Sequence, residues 1–403
     1  MNRICVIRQY YFPQDQRVRN QVQALVTEGH EVDVICMRRP GQPRLERDGR
    51  LTIRRLPLLH RRAGKLRYLF EYAAFFALAM FWVTALHLRQ RYRIVAVHSL
   101  PDALVFAAIV AKLLGAKIVL DLHETMPEFF ATKFGVTMRY PAVRAISWLE
   151  QASIRLADFT VTCNDQMRQR FVERGADPDR IGVVMGSADE TVFKGEWVHP
   201  AQPALERFTI ISHGTIEERY GLDTAVRAVA LLKDEIPELR LNVHGEGPQE
   251  VELRVLAQRL GVDDRVSFDG YVPLDNLLRA INEADAGLIA TKRDEFRDLI
   301  HCLKMFEFVS MKKPVICSRT PAVEACFDEE SFLYFIADDE RDLARAIKRL
   351  YVEQDLGDRL VAHATAANNA YRWPRQREVY LSLMRQVFEG QLAPTRTPDL
   401  AGR

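Results

Sequence analysis

Short apolar runs, each followed by a loop and an amphipathic stretch, recur along almost the whole chain, and that alternation leaves few folds open. The runs read as strands are 3–8 (RICVIR), 31–36 (EVDVIC), 51–56, 94–98 (IVAVH), 116–122 (AKIVLDL), 159–163 (FTVTC) and 181–185. Helix-like stretches fall between them at 17–28, 68–90, 102–114 and 141–157. Strands that are apolar throughout are buried on both faces, as in a parallel sheet covered by helices. Residues 186–207 (GSADETVFKGEWVHPAQPALER) carry Gly, Pro and charge without periodicity and read as a linker. The alternation then restarts, with strands at 208–213, 239–244, 265–268, 286–290 and 314–318 and helices at 222–234, 249–260, 274–283, 301–311 and 340–353. The pattern predicts an α/β chain of two tandem doubly wound domains, 1–190 and 205–372, then a helix over 374–389 and a disordered tail at 390–403.

At 403 residues, 48% of them hydrophobic, each half is long enough to bury its own core. The formal charge of +2 argues against a dedicated nucleic-acid binder. It hides an asymmetry, because residues 1–100 hold 18 Lys and Arg against 7 Asp and Glu, a charge of +11, and the remainder sums to −9. A basic first half is expected to meet something anionic. The six cysteines form no CxxC, four lie in apolar runs, and no leader is evident at Met1-Asn2-Arg3-Ile4, so a reducing cytoplasm is the expected compartment.

One segment departs from a routine surface helix. Residues 72–88 (YAAFFALAMFWVTALHL) contain no Asp, Glu, Lys or Arg, with basic clusters at 61–67 and 89–93 on either side. Seventeen uncharged residues fall short of the roughly 20 of a spanning helix. Two compatible readings follow: a domain helix with cationic ends, and a helix that also docks on an anionic membrane at its cytoplasmic face.

In open parallel sheets ligands bind beyond the carboxyl ends of the strands. His98, His123, His213 and His244 all fall at such ends. No short His/Cys/Asp spacing accompanies them, so no metal site is expected. The first strand leads into Gln9–Arg17 without glycine, Gly245-Glu246-Gly247-Pro248 matches GxGxxG only in part, and no Walker sequence is present, which disfavours dinucleotide binding. In the second half Gly214 ends a strand, and Arg219 follows just before a helix; a glycine admits close backbone approach and a guanidinium binds two phosphate oxygens. Lys304 and Glu307 are three apart on a predicted helix and share one face. Read structurally they are a surface ion pair. Read functionally, Lys304 and the helix N-terminus meet a diphosphate while Glu307 accepts from both hydroxyls of a ribose.

An ordered series of segments then narrows the choice: RVRNQVQALVTEGHEVDVI (17–35), VHSLPDAL (97–104), LDLHETMPE (120–128), MGSADETVF (185–193), HGTIEERYGLDTAVRAVALL (213–232), VHGEGP (243–248), FDGYVP (268–273), ADAGLIA (284–290) and KMFEFVSMKKPVICS (304–318). The sequence resembles the retaining glycosyltransferases of the GT-B fold, family 4, of bacterial cell-envelope and polysaccharide synthesis. The resemblance implies two Rossmann-like domains facing across a cleft, the helix near 374–389 joining the first. It implies a nucleotide-diphospho-sugar donor held by the second domain and a glycan or lipid-linked acceptor approaching from the first. Gly214, Arg219 and Lys304 would then contact the pyrophosphate, Tyr271 and Val272 the base, Glu307 the ribose, with Met305 beside them. His123 would reach the donor sugar, and Arg17 and His98 would stand on the acceptor side. His123, Arg219 and Lys304 are the expected catalytic set, without metal or other cofactor, and front-face attack by the acceptor hydroxyl is the implied route.

Three departures from the family pattern stand out. Leu299 occupies the place of a carboxylate eight residues before Glu307, for which Asp294, Glu295 or Asp298 are candidate substitutes. Tyr220 stands near the place of a common lysine, and the first loop lacks a glycine pair. A sugar-nucleotide 2-epimerase and a non-catalytic binding protein are the competing readings.

Overall fold

The computed structural model describes residues 2–59, 65–195 and 207–390. Most of the tail expected to be disordered, half of the linker (196–206), and Arg61 and Arg62 lie outside them. The chain forms two compact units, the first running to Gly186 and taking in the stretch from Pro374, the second Ser187–Trp373.

The first unit contains β1 (Arg3–Tyr11), α1 (Gln16–Thr27), β2 (Glu31–Met37), β3 (Leu45–Asp48), β4 (Leu51–Leu56), α2 (Lys65–Gln90) and β5 (Ile94–His98). It continues with α3 (Ile109–Leu113), β6 (Lys117–Leu122), α4 (Met126–Phe134), α5 (Pro141–Leu156), β7 (Phe159–Thr162), α6 (Asp165–Glu173) and β8 (Ile181–Val183). The sheet order is β3-β4-β2-β1-β5-β6-β7-β8, parallel except for β3. The buried strands Ile4–Ile7, Val34–Met37 and Ile94–Val97 form its centre. With crossovers of the usual right hand, this strand order, which runs one way from β1 to β2 and the other way from β5 to β8, puts α1 on one face and α2 to α6 on the other. Asp15 caps α1 by accepting from the Val18 N–H (3.2 Å). The stretch 102–114 is not one α-helix: Asp102–Ala108 is a 3-10 segment that leads into α3.

In the second unit lie β9 (Phe208–His213), α7 (Leu222–Leu232), β10 (Leu239–His244), α8 (Glu250–Leu260), β11 (Val266–Phe268), α9 (Leu274–Glu283) and β12 (Ala286–Ile289). Then come α10 (Leu303–Ser310), β13 (Val315–Ser318), α11 (Pro321–Glu324), β14 (Leu333–Phe335), α12 (Glu340–Val352) and α13 (Leu356–Asn368). All six strands are parallel in the order β11-β10-β9-β12-β13-β14, so strand order reverses between β9 and β12. The last helix, α14 (Trp373–Glu389), returns to the first unit. Its Gln376 accepts from the Met185 N–H (2.8 Å), and its Leu383 fills the space over Gly182, where a Cβ would come within 2.7 Å.

Candidate functional site

The loops after β9, β10 and β11 are tied by backbone bonds that bring three strand ends together. Gly214 donates to the His244 carbonyl (2.8 Å), Ile216 to Glu246 (3.0 Å) and Gly245 to Gly270 (2.8 Å). The approach is so close that a Cβ on Gly245 would lie 1.8 Å from the Gly214 oxygen. This accounts for the partial GxG at 245–247: those glycines let loop pack on loop. Beneath them opens a cavity of about 320 Å³, lined by His213, Gly214, His244, Tyr271, Val272 and neighbouring residues.

Lys304, in the first turn of α10, leans onto this loop. A Cβ on Gly214 would stand 3.0 Å from Lys304 Cε and 3.3 Å from its Nζ, so glycine makes the room for the lysine. The Nζ lies 4.4 Å from the centre of the Tyr220 ring. The Arg219 guanidinium lies 5.1 Å from the same ring, so one aromatic side chain supports both cations. Among the described residues no carboxylate pairs with Lys304. Burial holds its pKa below the usual value, with Arg219 adding to the effect and Cys302 and Glu307 opposing it. Arg219 Nη2 meets Glu217 Oε2 at 2.7 Å, and its buried Nε has no hydrogen-bond partner among the described residues.

One turn on, Glu307 Oε2 is 3.2 Å from His213 Nε2. Burial pushes the Glu307 carboxyl up to about 7 against the pull of Lys304. Burial, then Lys304 and His244, push His213 down to about 3. At neutral pH His213 is uncharged, and Glu307 is poised between its two forms. Met305 points the other way: its side chain is fully buried, and its N–H donates to the Cys302 carbonyl (3.3 Å). The expectation that Met305 contacts a donor therefore fails for its side chain, because the face of α10 that bears it packs into the core.

The substitutes considered for the missing carboxylate are mostly committed elsewhere. Leu299 is buried in a 3-10 turn. Asp294 accepts from the N–H groups of Phe296 and Arg297. Asp298 is bound at both oxygens by Arg293 (2.9 and 2.7 Å). Glu295 alone of the three is exposed.

In the first unit, His98 and His123 meet at the ends of β5 and β6, with His98 Nδ1 3.3 Å from His123 Nε2. Asp121 lies beneath them, and sequence reading missed it. Its Oδ1 accepts from Arg17 Nη2 (2.9 Å) and Nε (3.2 Å), and its Oδ2 from Gln21 (2.7 Å). Burial alone would raise the Asp121 pKa, but Arg17 and then the imidazoles outweigh it and hold the carboxyl well below the usual range. Burial also lowers the pKa of both histidines, that of His98 to about 4. Arg17 spends its remaining reach on the Val184 carbonyl (2.6 Å), so it is a structural tie and not a free acceptor-side cation. His98 is buried as well, which leaves His123 as the partly exposed member. A ligand atom from each of His98, Asp121 and His123 lies within 4.8 Å of the others. The set is nonetheless a poor cation site, because Asp121 already accepts from Arg17 and Gln21 and the guanidinium's charge sits against it.

Two family models cover most of the chain: a glycosyl transferase 4-like domain matches residues 14–185, and glycosyl transferases group 1 matches residues 207–353. The chain belongs to the GT-B glycosyltransferases of family 4 type. A D-inositol 3-phosphate glycosyltransferase of Thermomonospora curvata is 27% identical over 253 residues, 58% of this chain and 57% of that protein. A putative colanic acid biosynthesis glycosyltransferase of Escherichia coli, WcaL, is 28% identical over 34% of each chain. The chain thus spans between a third and little more than half of those two relatives' lengths. The structure of Anabaena HepE in complex with UDP superposes with a TM-score of 0.69 at 12% identity, covering 96% of this chain and 100% of that one, and so shares the fold.

Proposed function

We propose that this chain is a retaining, metal-independent glycosyltransferase of envelope or exopolysaccharide synthesis. It moves a sugar from a nucleotide-diphospho-sugar to a hydroxyl of a glycan or lipid-linked acceptor, in the cytoplasm at the inner face of the membrane. One observation carries the donor assignment: Lys304, an ammonium with no carboxylate partner among the described residues, is held against Gly214 and Tyr220 at the edge of a cavity on the sheet's switch point. A diphosphate supplies the missing counter-charge.

The chemistry follows from where charge develops. As the glycosidic bond breaks, negative charge grows on the departing nucleoside diphosphate. Lys304, Arg219 and the N-terminal turn of α10 stabilise that charge, and preorganised charge of this kind is usually the largest catalytic contribution. Glu307, ionised, accepts from the ribose hydroxyls, while Tyr271 and Val272 border the base. His123 carries the sugar-orienting role that the family resemblance assigns to it. The acceptor hydroxyl attacks from the face that the diphosphate leaves.

Release of UDP and GDP from their hexose conjugates, with and without envelope extract, tests this reading. Acceptor-dependent release is the expected result. Release or isomerisation without acceptor would indicate an epimerase, and donor binding without turnover a binding protein.

A further inference from the structure

The helices on the second face of the eight-stranded sheet carry a pattern that the donor site does not use. From α2 through α5, none of the carboxylates is exposed. Glu71, Asp102, Asp121, Glu128 and Glu150 are buried, and Glu124 is partly covered. Arg174 reaches in from beyond α6 to pair with both Glu128 and Glu150, which keeps those two charges inside. Over the same stretch Arg67, Arg89, Arg91, Lys133, Arg139 and Arg144 are exposed.

Between these cations the outer surface is apolar. On α2, Phe70, Ala73, Ala77, Phe81 and Leu88 follow helical spacing on the outward face, while Phe75, Ala79 and Val83 are buried beneath. The stripe from Phe70 to Leu88 runs for roughly 27 Å at the α-helical rise. The neighbouring helices also carry large outward apolar groups, Leu113 on α3, Phe134 on α4 and Trp148 on α5, and these three, with Phe70, Phe81 and Leu88, are each more than half exposed. The helices lie side by side: α2 and α5 both pack on the 3-10 segment Asp102–Ala108, and α4 packs on α5. By length and composition Phe70–Gln90 could cross a membrane. Its inward face, including Glu71 and His87, is buried in the unit, so in this fold the helix lies along a surface instead.

We propose that this helix layer docks on an anionic lipid bilayer. Phe70, Phe81, Leu88, Leu113, Phe134 and Trp148 enter the boundary between headgroups and acyl chains, and the surrounding Arg and Lys side chains meet lipid phosphates. Large aromatic and aliphatic groups on outward-facing helices, ringed by cations with the acids turned inward, match an interface that is apolar in depth and negative at its rim. A nucleic acid would leave the apolar stripe in water. A protein partner would be expected to offer acids to the cations and a groove to the stripe. The inference supplies a surface for the membrane-side location proposed above, and it involves no residue of the donor cavity.

The test is co-sedimentation of the full chain with phosphatidylcholine vesicles and with mixed phosphatidylglycerol–phosphatidylcholine vesicles, at low and high salt. Binding to the anionic vesicles only, weakening as salt rises, is expected. Arg139→Glu with Arg144→Glu should lower partitioning at least about tenfold, each basic residue near such a surface contributing roughly a fivefold factor. Phe81→Glu with Trp148→Glu should do likewise, and brominated lipid should quench the tryptophan emission of the wild type more than that of Trp148→Phe. All of these side chains are exposed; if a glutamate pair nonetheless misfolds, Arg139→Gln with Arg144→Gln replaces it. Equal binding to neutral vesicles, salt-independent binding, unaltered variants, or self-association in solution that Phe81→Glu abolishes overturns the proposal. Nucleotide affinity is measured in parallel. Its loss in Lys304→Ala together with intact vesicle binding separates the donor reading from this one.

Discussion

Glu307 Oε2 lies 3.2 Å from His213 Nε2, and the two groups are pushed in opposite directions by the same burial, the acid up to about 7 and the imidazole down to about 3. The acid must ionise to accept from a ribose, and the neutral imidazole beside it leaves Lys304 as the charge that favours ionisation. Affinity for a nucleoside diphosphate should therefore fall as pH drops below about 7, approaching tenfold per pH unit. Glu307→Gln should bind weakly and lose that dependence. Calorimetric titration across pH 5.5–8.5, about 1.5 units on either side of that value, would read both.

The same shift makes a stability prediction of opposite sign. A carboxyl whose pKa is raised on folding binds its proton more tightly in the folded state, so its contribution is best at low pH, declines between 4.5 and about 7, and is flat above. At pH 8 Glu307→Gln should be more stable than wild type, by at most about 3 kcal/mol at roughly 1.4 kcal/mol per pH unit of displacement. Near pH 4 the advantage should vanish. Urea unfolding at the two pH values decides.

Tyr220 supports Lys304 and Arg219 from a single ring. Tyr220→Leu removes both cation–π contacts and should weaken UDP or GDP binding by about threefold to thirtyfold, from roughly 0.7–2 kcal/mol, whereas Tyr220→Phe should retain it. Lys304→Ala should abolish binding with a native circular dichroism spectrum. Unchanged affinity in Lys304→Ala would falsify the donor cavity.

Gly245 has no space for a side chain. With φ at +143° and the Gly214 oxygen 1.8 Å from a Cβ, Gly245→Ala should cost about 2–6 kcal/mol, combining backbone strain and overpacking. Thermal unfolding measures it, and lost nucleotide binding should accompany it because the strand-end loops separate.

Arg17 and Asp121 form a buried pair, 13% and 3% exposed at their side chains. Arg17→Ala strands the carboxylate and should destabilise by about 3–5 kcal/mol. The lowered Asp121 pKa adds stability that is complete above its unfolded value and lost as pH falls toward the folded one, so the loss in Arg17→Ala should shrink in acid. Because Arg17 and Gln21 already occupy that carboxylate, EDTA should leave glycosyl transfer unchanged. Inhibition reversed by a divalent cation would point to a metal outside this cluster.

Much of the fold was legible because buried parallel strands are apolar without interruption. The runs at 31–36, 94–98 and 208–213 coincide with β2, β5 and β9 to within a residue. Strand β3 was invisible: Leu45–Asp48 is exposed throughout, and its existence rests on backbone pairing with β4. Helices α4, α6 and α13 were missed too. Each is short or weakly patterned and is held by a neighbouring element, α4 by α5, α6 by β8 and α13 by α10.

At the site, the spacing of Lys304 and Glu307 could be read directly, since three residues on a helix define one face whatever surrounds it. The sequence alone likewise determined the two-domain alternation, the uncharged run at 72–88 and the positions of four strand-end histidines. Tertiary structure decided what each group meets. It tied Arg17 to an aspartate 104 residues away, turned Met305 into the core, placed Tyr220 under two cations, and set which carboxylates face water. Those outcomes depend on distances across strands and loops, and electrostatic and packing energies change with distance and burial that no local pattern encodes.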